Sequence, residues 1–260
     1  MPADLDADRA IMAFVRDSRK GRDLKRVGPF LLMFTAATRH RYLNYAIPDD
    51  DAAPSRAELD SLVDAFRRAD RIPRLEFLPT VAPLLEARLV EYGFAVEDRL
   101  PLMTCTRTTL RSPAPPDGVS LGAPSGAGPM LALARLQHEI FADPDPADER
   151  SVARLRGILE HGGRAVLASD TVTGDPVGAA QTVIPGGGAT EVVGVVVAPS
   201  YRRRGIAAAM VSAVARQCFE AGLITVFLEA APGAAGAYRT AGFQRTSTSL
   251  HISLTGEHDA

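Results

Sequence analysis

The segment between Glu191 and Gly222 restricts the possible folds of this chain more than any other part of the sequence. Residues 192–198 form a short run rich in valine, which is typical of a buried strand. After a turn that contains Pro199 and Gly205, apolar residues recur every four positions and predict a core-facing helix: Ile206, Met210, Val214 and Cys218. A buried strand, a tight turn and an amphipathic helix in succession predict a layered fold in which helices cover a sheet.

The same alternation extends over the second half of the chain. Turn signals and apolar patterning predict strands at residues 119–121, 164–169, 177–184, 190–197 and 223–229, and one bent strand or two at 243–254. They predict helices at residues 128–141, 147–160, 203–221 and 233–241. Because strands and helices alternate, we predict an α/β fold with a mixed sheet.

The first 110 residues repeat part of this order. They contain predicted strands at 30–35, 42–47, 74–78 and 100–106 and predicted helices at 55–69 and 82–92. Both halves carry a Leu-Glu pair, a helix and a Gly-Phe pair, with 17 residues from Glu76 to Gly93 and 13 from Glu229 to Gly242. Three prolines and a glycine in residues 111–118 disfavour regular structure. We therefore predict a diverged partial copy at 1–111, a linker at 112–118 and a complete domain at 119–260.

The composition argues against several classes of function. A formal net charge of −2 gives no reason to expect binding to nucleic acid or to an anionic membrane. Two cysteines are too few for a disulfide scaffold or a four-cysteine zinc site, and we expect no metal. The first residues lack the pattern of a signal peptide, and no apolar run approaches the length of a membrane span, so we expect a cytoplasmic protein.

The turn before the predicted helix has the chemistry of a phosphate-binding loop. Backbone N–H groups at a helix N-terminus have no intrahelical acceptor, and the helix dipole favours an anion there. Gly205 lacks a Cβ where a phosphate would approach, Ala207 keeps the next surface small, and three cations precede them: Arg202, Arg203 and Arg204. These features favour a pyrophosphate as the ligand. The alternatives for the arginine triplet are a solvated basic run and a nucleic-acid patch, although the latter needs basic residues spread over a face with aromatic platforms.

Two motifs in this context resemble those of the GNAT N-acetyltransferase superfamily. Arg202-Arg-Arg-Gly205-Ile-Ala207 is similar to the Gln/Arg-x-x-Gly-x-Gly/Ala motif that binds acetyl-CoA after the fourth strand of that fold. Ala237-Tyr238-Arg-Thr-Ala-Gly242-Phe243 is similar to the Leu-Tyr-x-x-x-Gly-Phe signature of the family. The resemblance covers residues 119–254 and implies a GNAT fold preceded by a partial, degenerate GNAT-like domain.

The resemblance also implies how acetyl-CoA binds. In the family, the fourth strand splays from its parallel neighbour, and Gly194 stands where such an irregularity would be accommodated. The backbone of this strand would then bind the pantetheine arm, with one N–H facing the thioester oxygen and stabilising the charge that develops on it. The implied coenzyme-binding residues are Val195, Val196, Val197, Arg202, Arg203, Arg204, Gly205, Ile206, Ala207 and Ala208.

Transfer of an acetyl group to an amine needs a proton acceptor and a proton donor. An alkyl ammonium titrates near a pKa of about 10.4, so a base must take its proton directly or through water. Glu191 lies eleven residues before Arg202, where histone-acetylating members of the superfamily carry their glutamate base. Tyr238 matches the tyrosine that protonates the departing thiolate in the family. His138 and His251 are alternative bases, and an exposed glutamate and a packing tyrosine are the structural alternatives. Many members carry Asn seven residues before the tyrosine, where this chain has Ala231.

The acceptor pocket of the family is framed by the loop between the first two helices and by the last strands. The residues of that loop here include Phe141, Asp143 and Asp145, whose carboxylates would attract a cationic amine or serve only as turn and cap residues. We expect a primary amine on a small molecule, amino acid or peptide, attacking directly in a ternary complex. Cys105 and Cys218 lie in apolar patterns and are not expected to act as nucleophiles. A non-catalytic module that binds acyl-CoA for regulation is the alternative function.

The first segment differs from the second at the matching turn. Asp49, Asp50 and Asp51 would repel a pyrophosphate, and Ser55 with Glu58 fits a capping box. We therefore predict one acetyl-CoA site, in the second domain. The first segment would shape the acceptor site, stabilise the sheet or mediate a homodimer, and residues 39–42 are candidates for facing the substrate.

Overall fold

The computed structural model describes residues 4–18, 23–35, 41–142 and 146–254. The chain forms two units, of which the first comprises Met1–Leu102 with Thr246–Ala260 and the second comprises Met103–Arg245. The chain passes between the units within two strands, β5 (Ala95–Thr106) and β11 (Gln244–Ser253). These units are defined by tertiary contacts, and the sequence segments 1–111, 112–118 and 119–260 remain a prediction.

Over the residues that the structure describes, the first unit contains a sheet and three α-helices. In chain order its elements are α1 (Leu5–Ser18), β1 (Asp23–Val27), β2 (Phe30–Phe34), β3 (Tyr45–Pro48), α2 (Arg56–Arg68), β4 (Arg74–Phe77) and α3 (Leu85–Tyr92). Strands β1, β2 and β3 pair antiparallel, β3 pairs parallel with β4, and β4 pairs antiparallel with the last residues of β11. The predicted apolar face of α2 is buried: Leu59, Leu62, Val63 and Phe66.

The second unit places helices on both faces of a five-stranded arrangement, β10-β9-β8-β7-β6. Its elements are β6 (Val119–Gly122), α4 (Ala127–Phe141), α5 (Glu149–Glu160), β7 (Ala165–Asp170), β8 (Pro176–Thr182), β9 (Ala189–Val197), α6 (Ile206–Glu220), β10 (Thr225–Glu229) and α7 (Ala235–Thr240). Only β9 and β10 pair parallel among these strands of the described chain. Helices α4 and α5 pack with Val196 on one face, and α6 and α7 pack with Val192 on the other.

The mixed α/β fold predicted from the sequence is confirmed, and the differences are local. The stripe Ile206, Met210, Val214 and Cys218 is buried as predicted. Helix α6 begins at Ile206 rather than at residue 203, because Arg203 and Gly205 have left-handed backbone conformations (φ 65° and 89°) that no α-helix continues through. The sequence reasoning missed α1 and β1, and the last strand is one continuous strand.

The two units share a connection pattern. In the first unit three antiparallel strands lead through α2 to the parallel strand β4, and in the second β7, β8 and β9 lead through α6 to the parallel strand β10. This shared order agrees with the partial repeat recognised in the sequence.

Candidate functional site

A β-bulge interrupts strand β9 at Gly194. Ala179 of β8 is opposite Val196 and Gln181 is opposite Val193, so one residue of β8 faces two residues of β9. Gly194 has φ 64°, the left-handed conformation that a bulge of this kind requires and that glycine adopts without strain. The bulge therefore removes the backbone groups around Gly194 from the regular ladder.

Strand β9 also loses its other neighbour before it ends. The parallel pairing of β9 with β10 runs from Ala189 opposite Thr225 to Glu191 opposite Phe227, and among the described residues no later pair joins these strands. Among the described residues, Val192, Val193, Val196 and Val197 therefore have their ladder partners on β8 alone. Since the Ala198 N–H donates to Val177 of β8, strand alternation directs the N–H of Val197 to the open side.

Glu191 lies at the point where the two strands separate. It is half-buried, and its carbonyl oxygen accepts a hydrogen bond from the Val183 N–H. Its neighbour Val192 packs on the face covered by α6, so the alternation of strand side chains places Glu191 on the face covered by α4 and α5.

The turn after β9 ends in an uncapped helix. One turn of 3-10 helix, Pro199–Tyr201, leads to an extended Arg202 and to Gly205, the N-cap residue of α6, which supplies no side-chain cap. The first helical hydrogen bond runs from Ala209 N–H to Gly205 oxygen at 3.1 Å. Within the described part of the chain, no acceptor bonds the N–H groups of Ile206, Ala207 or Ala208. A Cβ built on Gly205 would meet no atom within 4 Å, so the space above it is open.

The three arginines of the turn differ in what they contact. Arg202 Nε donates to the Val197 oxygen at 3.1 Å, which ties the turn back to β9. The Arg204 guanidinium lies over the Tyr201 ring, 5.0 Å from its centroid, and one of its nitrogens donates to the Asp117 oxygen at 3.3 Å. Arg203 is exposed and forms no ion pair or hydrogen bond with any residue that the structure describes. Among the described residues, Arg203 is thus the arginine of the triplet that has no hydrogen-bond or ring partner.

Sequence reasoning missed the support under this turn. The Tyr201 hydroxyl donates to Asp170 Oδ2 at 2.7 Å, and the other oxygen of Asp170 accepts from the N–H groups of Val172 and Thr173. The hydrogen bond from Tyr201 lowers the pKa of Asp170, and the carboxylate in turn raises the pKa of Tyr201. Asp170 stands 31 residues before Tyr201, so no local pattern could have joined them.

Tyr238 lies on α7 and is buried on the face covered by α6. Its ring packs against Phe243, with centroids 6.5 Å apart, and its hydroxyl forms no hydrogen bond with the described residues. Burial raises the pKa of Tyr238 above its ordinary value, so the phenol stays protonated at neutral pH. A buried, protonated and unengaged hydroxyl is available as a hydrogen-bond donor.

The Gly-Phe signature after Tyr238 has a packing role. A Cβ on Gly242 would lie 2.1 Å from the Thr109 oxygen, and the Arg111 N–H donates to the Ala241 oxygen at 3.0 Å. Gly242 also has φ 97°, which other residues rarely adopt. The glycine is therefore required where the end of α7 meets the segment after β5.

The structure gives the surroundings of some of the remaining predicted residues. Burial raises the pKa of Cys105 and raises that of Cys218 to about 12, so neither is a thiolate at neutral pH. His251 is buried in the first unit, where Arg74 lies 3.1 Å from its Nδ1. His138 is half-buried on α4, and Phe141 is exposed at the end of the same helix.

Some of the predicted substrate residues fall outside the described part of the chain: Asp143, Asp145, Arg39 and His40. Of the neighbouring candidates, Arg41 pairs with Glu97 at 2.7 Å, and Tyr42 is about half exposed with the Arg41 and Arg74 guanidinium groups near its ring. Both belong to the first unit.

Within the described ranges, no three His, Cys, Asp or Glu side chains are grouped so that they could hold a metal ion. Over the same ranges, none of the helices combines the length and apolar character needed to cross a membrane.

Comparison with known proteins agrees with the geometry of the second unit. Residues 130–243 match the family model described as "Acetyltransferase (GNAT) family", and this stretch contains the bulged strand, the uncapped helix and Tyr238. No curated protein matches the chain significantly.

Solved structures extend the likeness beyond that segment. A GCN5-related N-acetyltransferase from Kribbella flavida is 25% identical, with a TM-score of 0.77 and coverage of 97% of both chains. A GCN5-related N-acetyltransferase from Sphaerobacter thermophilus is 17% identical, with a TM-score of 0.66 over 99% of this chain and 96% of that one. A tandem GNAT protein from the clavulanic acid biosynthesis pathway is 14% identical, with a TM-score of 0.61 over 88% and 79%. The last two show a shared fold.

Proposed function

We propose that this chain, which contains a domain of the GNAT acetyltransferase family, transfers an acetyl group from acetyl-CoA to a primary amine of a small molecule, an amino acid or a peptide. The observation that carries the proposal is the adjacency of three features along one segment. Strand β9 separates from β10 after Glu191, it bulges at Gly194, and it leads within a few residues to the open N-terminus of α6.

These features match the parts of an acyl-CoA. The N–H groups of Ile206, Ala207 and Ala208 and the charge of Arg203 are suited to a pyrophosphate. The unpaired side of Val195–Val197 is suited to the amides of a pantetheine arm, which needs backbone partners in an extended conformation. Arg202 and Arg204 would support the loop as well as adding positive charge.

Glu191 and Tyr238 are proposed as the base and the acid. They belong to opposite faces of the sheet, with the separation of β9 and β10 between them. Glu191 would take the proton of the ammonium, directly or through water, so that the amine nitrogen can attack the thioester carbon. A C–N bond forms and the carbonyl electron pair moves to oxygen. The oxygen electron pair then re-forms the C=O bond as the C–S bond breaks, its electron pair goes to sulfur, and Tyr238 donates a proton to that sulfur. The nitrogen loses its second proton to water, which returns a proton to the tyrosinate.

The raised pKa of Tyr238 bears on the last step. A phenol with a pKa above 10 gives its proton to a thiolate only where the thiolate is also destabilised. The same burial penalises a thiolate as it penalises a phenolate, so the two values rise together in this site. Tyr238 is therefore suited to donate as the sulfur acquires charge.

The coenzyme site is tested by calorimetry with coenzyme A. The Arg204→Glu/Gly205→Val variant should abolish binding, because it introduces a negative charge and places a branched side chain at φ 89°. Asp49→Ala in the first unit serves as the control and should bind like the wild type. Retained affinity in the double variant would refute the proposed site.

The chemistry is tested by measuring free thiol released from acetyl-CoA over a panel of amines. Glu191→Gln and Tyr238→Phe should each lower turnover by about 100-fold, while coenzyme A binding stays near the wild-type value. Unchanged turnover in both variants would eliminate these roles. Coenzyme binding without thiol release for any amine would favour the alternative function, an acyl-CoA-binding regulatory module.

The first unit is proposed to have no coenzyme site of its own and to mediate a homodimer. Titration of the full chain with coenzyme A should give one site per chain, and light scattering should give its oligomeric state. A stoichiometry of two would contradict the single-site proposal.

A further inference from the structure

One polar side chain from α4 reaches the bulge of β9. Gln137 is buried, with 9% of its surface exposed, and its Nε2 donates to the Gly194 oxygen at 2.8 Å. The approach is so close that a Cβ on Gly194 would lie 2.2 Å from the same nitrogen. Its neighbours Met130, Leu133 and Leu136 on the same face of α4 are apolar, so Gln137 is the polar exception on a core-facing surface.

The hydrogen bond fixes the orientation of one peptide plane. The described chain contains no cis peptide bond, so in the Gly194–Val195 peptide the carbonyl and the N–H point in opposite directions. Because Gln137 holds the Gly194 oxygen toward α4, the Val195 N–H points away from α4. Val195 lies in the bulge and beyond the last pair with β10, so among the described residues it has no cross-strand partner of its own.

A bulged peptide without such a contact could rotate. A glycine in the left-handed region has neighbouring minima that other residues lack, and a rotation of the peptide would reverse its N–H at small cost. A preorganised donor stabilises a developing charge because it does not have to reorient during the reaction. A buried side chain that fixes the peptide supplies this preorganisation.

We propose that Gln137 is a positioning residue that holds the Gly194–Val195 peptide so that the Val195 N–H donates to the thioester carbonyl oxygen of the bound acyl-CoA. The inference rests on the proposed function, and it assigns the donor to Val195 and its orientation to a side chain on another element. If Gln137 only filled the core, a methionine of similar length would replace it without loss of turnover. The Gln137→Met variant therefore distinguishes a positioning role from a packing role.

The test uses the full-length protein and acetyl-CoA labelled with ¹³C at the thioester carbonyl. Isotope-edited infrared difference spectra report hydrogen bonding to that carbonyl, because a donor shifts its stretching band to lower wavenumber. In the wild type the band should shift on binding. In Gln137→Met, which keeps the side-chain length and removes the donor, the shift should be lost or become heterogeneous.

Two further measurements separate positioning from packing. Calorimetry should give the same affinity of Gln137→Met for coenzyme A, which lacks the carbonyl, as for the wild type. Turnover with an amine from the panel should fall about 10- to 100-fold, while the KM for acetyl-CoA changes less. An unchanged unfolding temperature of the variant shows that the loss of turnover does not come from destabilisation of the protein.

A second variant, Gln137→Glu, tests the same contact even if the methionine of Gln137→Met packs poorly. Its readout is the pH dependence of the infrared shift. A protonated carboxyl donates to the Gly194 oxygen, whereas a carboxylate repels it. The infrared shift should therefore be present at low pH and disappear as pH rises, with no such dependence in the wild type or in Gln137→Met.

The outcomes are distinguishable from failure of the proposed function. If the wild type binds neither coenzyme A nor acetyl-CoA, the proposed function fails first. If it binds acetyl-CoA and the carbonyl shift is absent, or is identical in Gln137→Met and independent of pH in Gln137→Glu, the role of Gln137 is overturned.

Discussion

The two units contain strand–turn–helix junctions of the same connectivity and opposite chemistry. The junction at residues 48–56 joins β3 to α2, and the junction at residues 197–206 joins β9 to α6. Both lead from a strand to a helix that returns to a parallel neighbour. What differs is which polar groups the surrounding chain has already satisfied.

The aspartates of the first junction are occupied by arginines from its own unit. Arg26 pairs with Asp49 at 2.7 Å, Arg16 with Asp50 at 2.6 Å and Arg9 with Asp51 at 2.7 Å. The acidic run that the sequence displays is therefore neutralised locally. At the second junction the polarity is reversed, and Arg203 has no counter-charge among the described residues.

The helix N-termini differ in the same sense. Ser55 and Glu58 form a capping box that satisfies donors at the start of α2. Gly205 at the start of α6 caps nothing and leaves three N–H groups without acceptors within the described chain. The strands before these helices differ as well. Strand β3 pairs with β2 in unbroken register, whereas β9 has a bulge opposite β8. A site for an anion can therefore form where the fold leaves backbone N–H groups without hydrogen-bond acceptors.

The largest effect on coenzyme A binding is expected from placing a carboxylate at the start of α6, as the first junction has at its own turn. Gly205→Asp and Gly205→Asn both place a residue that tolerates φ 89°, and only the first adds a negative charge. The aspartate should weaken coenzyme A binding by about 100-fold, about 2.7 kcal/mol, because its carboxylate competes for the N–H groups and repels the pyrophosphate. Calorimetry on both variants checks this. Equal affinities of the two would show that charge at this position is irrelevant.

A smaller effect, on the free energy of unfolding, is expected from removing the arginines that pair with the aspartates of the first junction. Arg16 is largely covered, pairs with Asp50 and donates to the Pro48 oxygen at 2.9 Å, so Arg16→Ala should lower the free energy of unfolding by about 1–2 kcal/mol. Arg26 and Asp49 are about half exposed, and Arg26→Ala should cost about 0.5 kcal/mol or less. Urea denaturation measures both. A larger loss for Arg26→Ala than for Arg16→Ala would contradict the assignment of the stabilising pair.

The third prediction concerns the cap of α2. Ser55→Ala should lower stability by about 1 kcal/mol and leave coenzyme A binding unchanged. Hydrogen bonds from the backbone N–H and hydroxyl of Ser55 lower the pKa of Glu58 below its ordinary value. A carboxyl whose pKa is lower in the folded state stabilises the fold above its unfolded value and loses that contribution as pH falls.

The difference between wild type and Ser55→Ala should therefore shrink as pH falls below about 4.5. Denaturation curves at neutral and acidic pH measure it. A difference that grows toward acid would show that the capping box is not what lowers the pKa of Glu58.

Local patterns predicted most of the fold. The four-residue spacing from Ile206 to Cys218 and the Ser55–Glu58 pair depend only on nearby residues, and both are present in the structure. Helix α1 and strand β1 were missed because most large apolar residues of α1 stand together in residues 11–15 rather than recurring at helical spacing, and β1 reads Asp-Leu-Lys-Arg-Val. Their place depends on contacts such as the Arg16–Asp50 pair, which joins residues 34 positions apart.

The candidate site also combines features that follow from local sequence with features that depend on packing. The strand, the turn, the helix and the residue types of a phosphate loop could be predicted from the sequence, because spacing and side-chain chemistry are local. The packing of the elements determines that Arg202 and Arg204 contact the backbone while Arg203 does not. It also brings Asp170 to Tyr201 and Gln137 to the Gly194 carbonyl. Each of these contacts joins groups whose partner depends on how elements pack. Hydrogen bonds between distant segments form only where packing places a donor within about 3 Å of an acceptor, and no spacing along the chain encodes that distance.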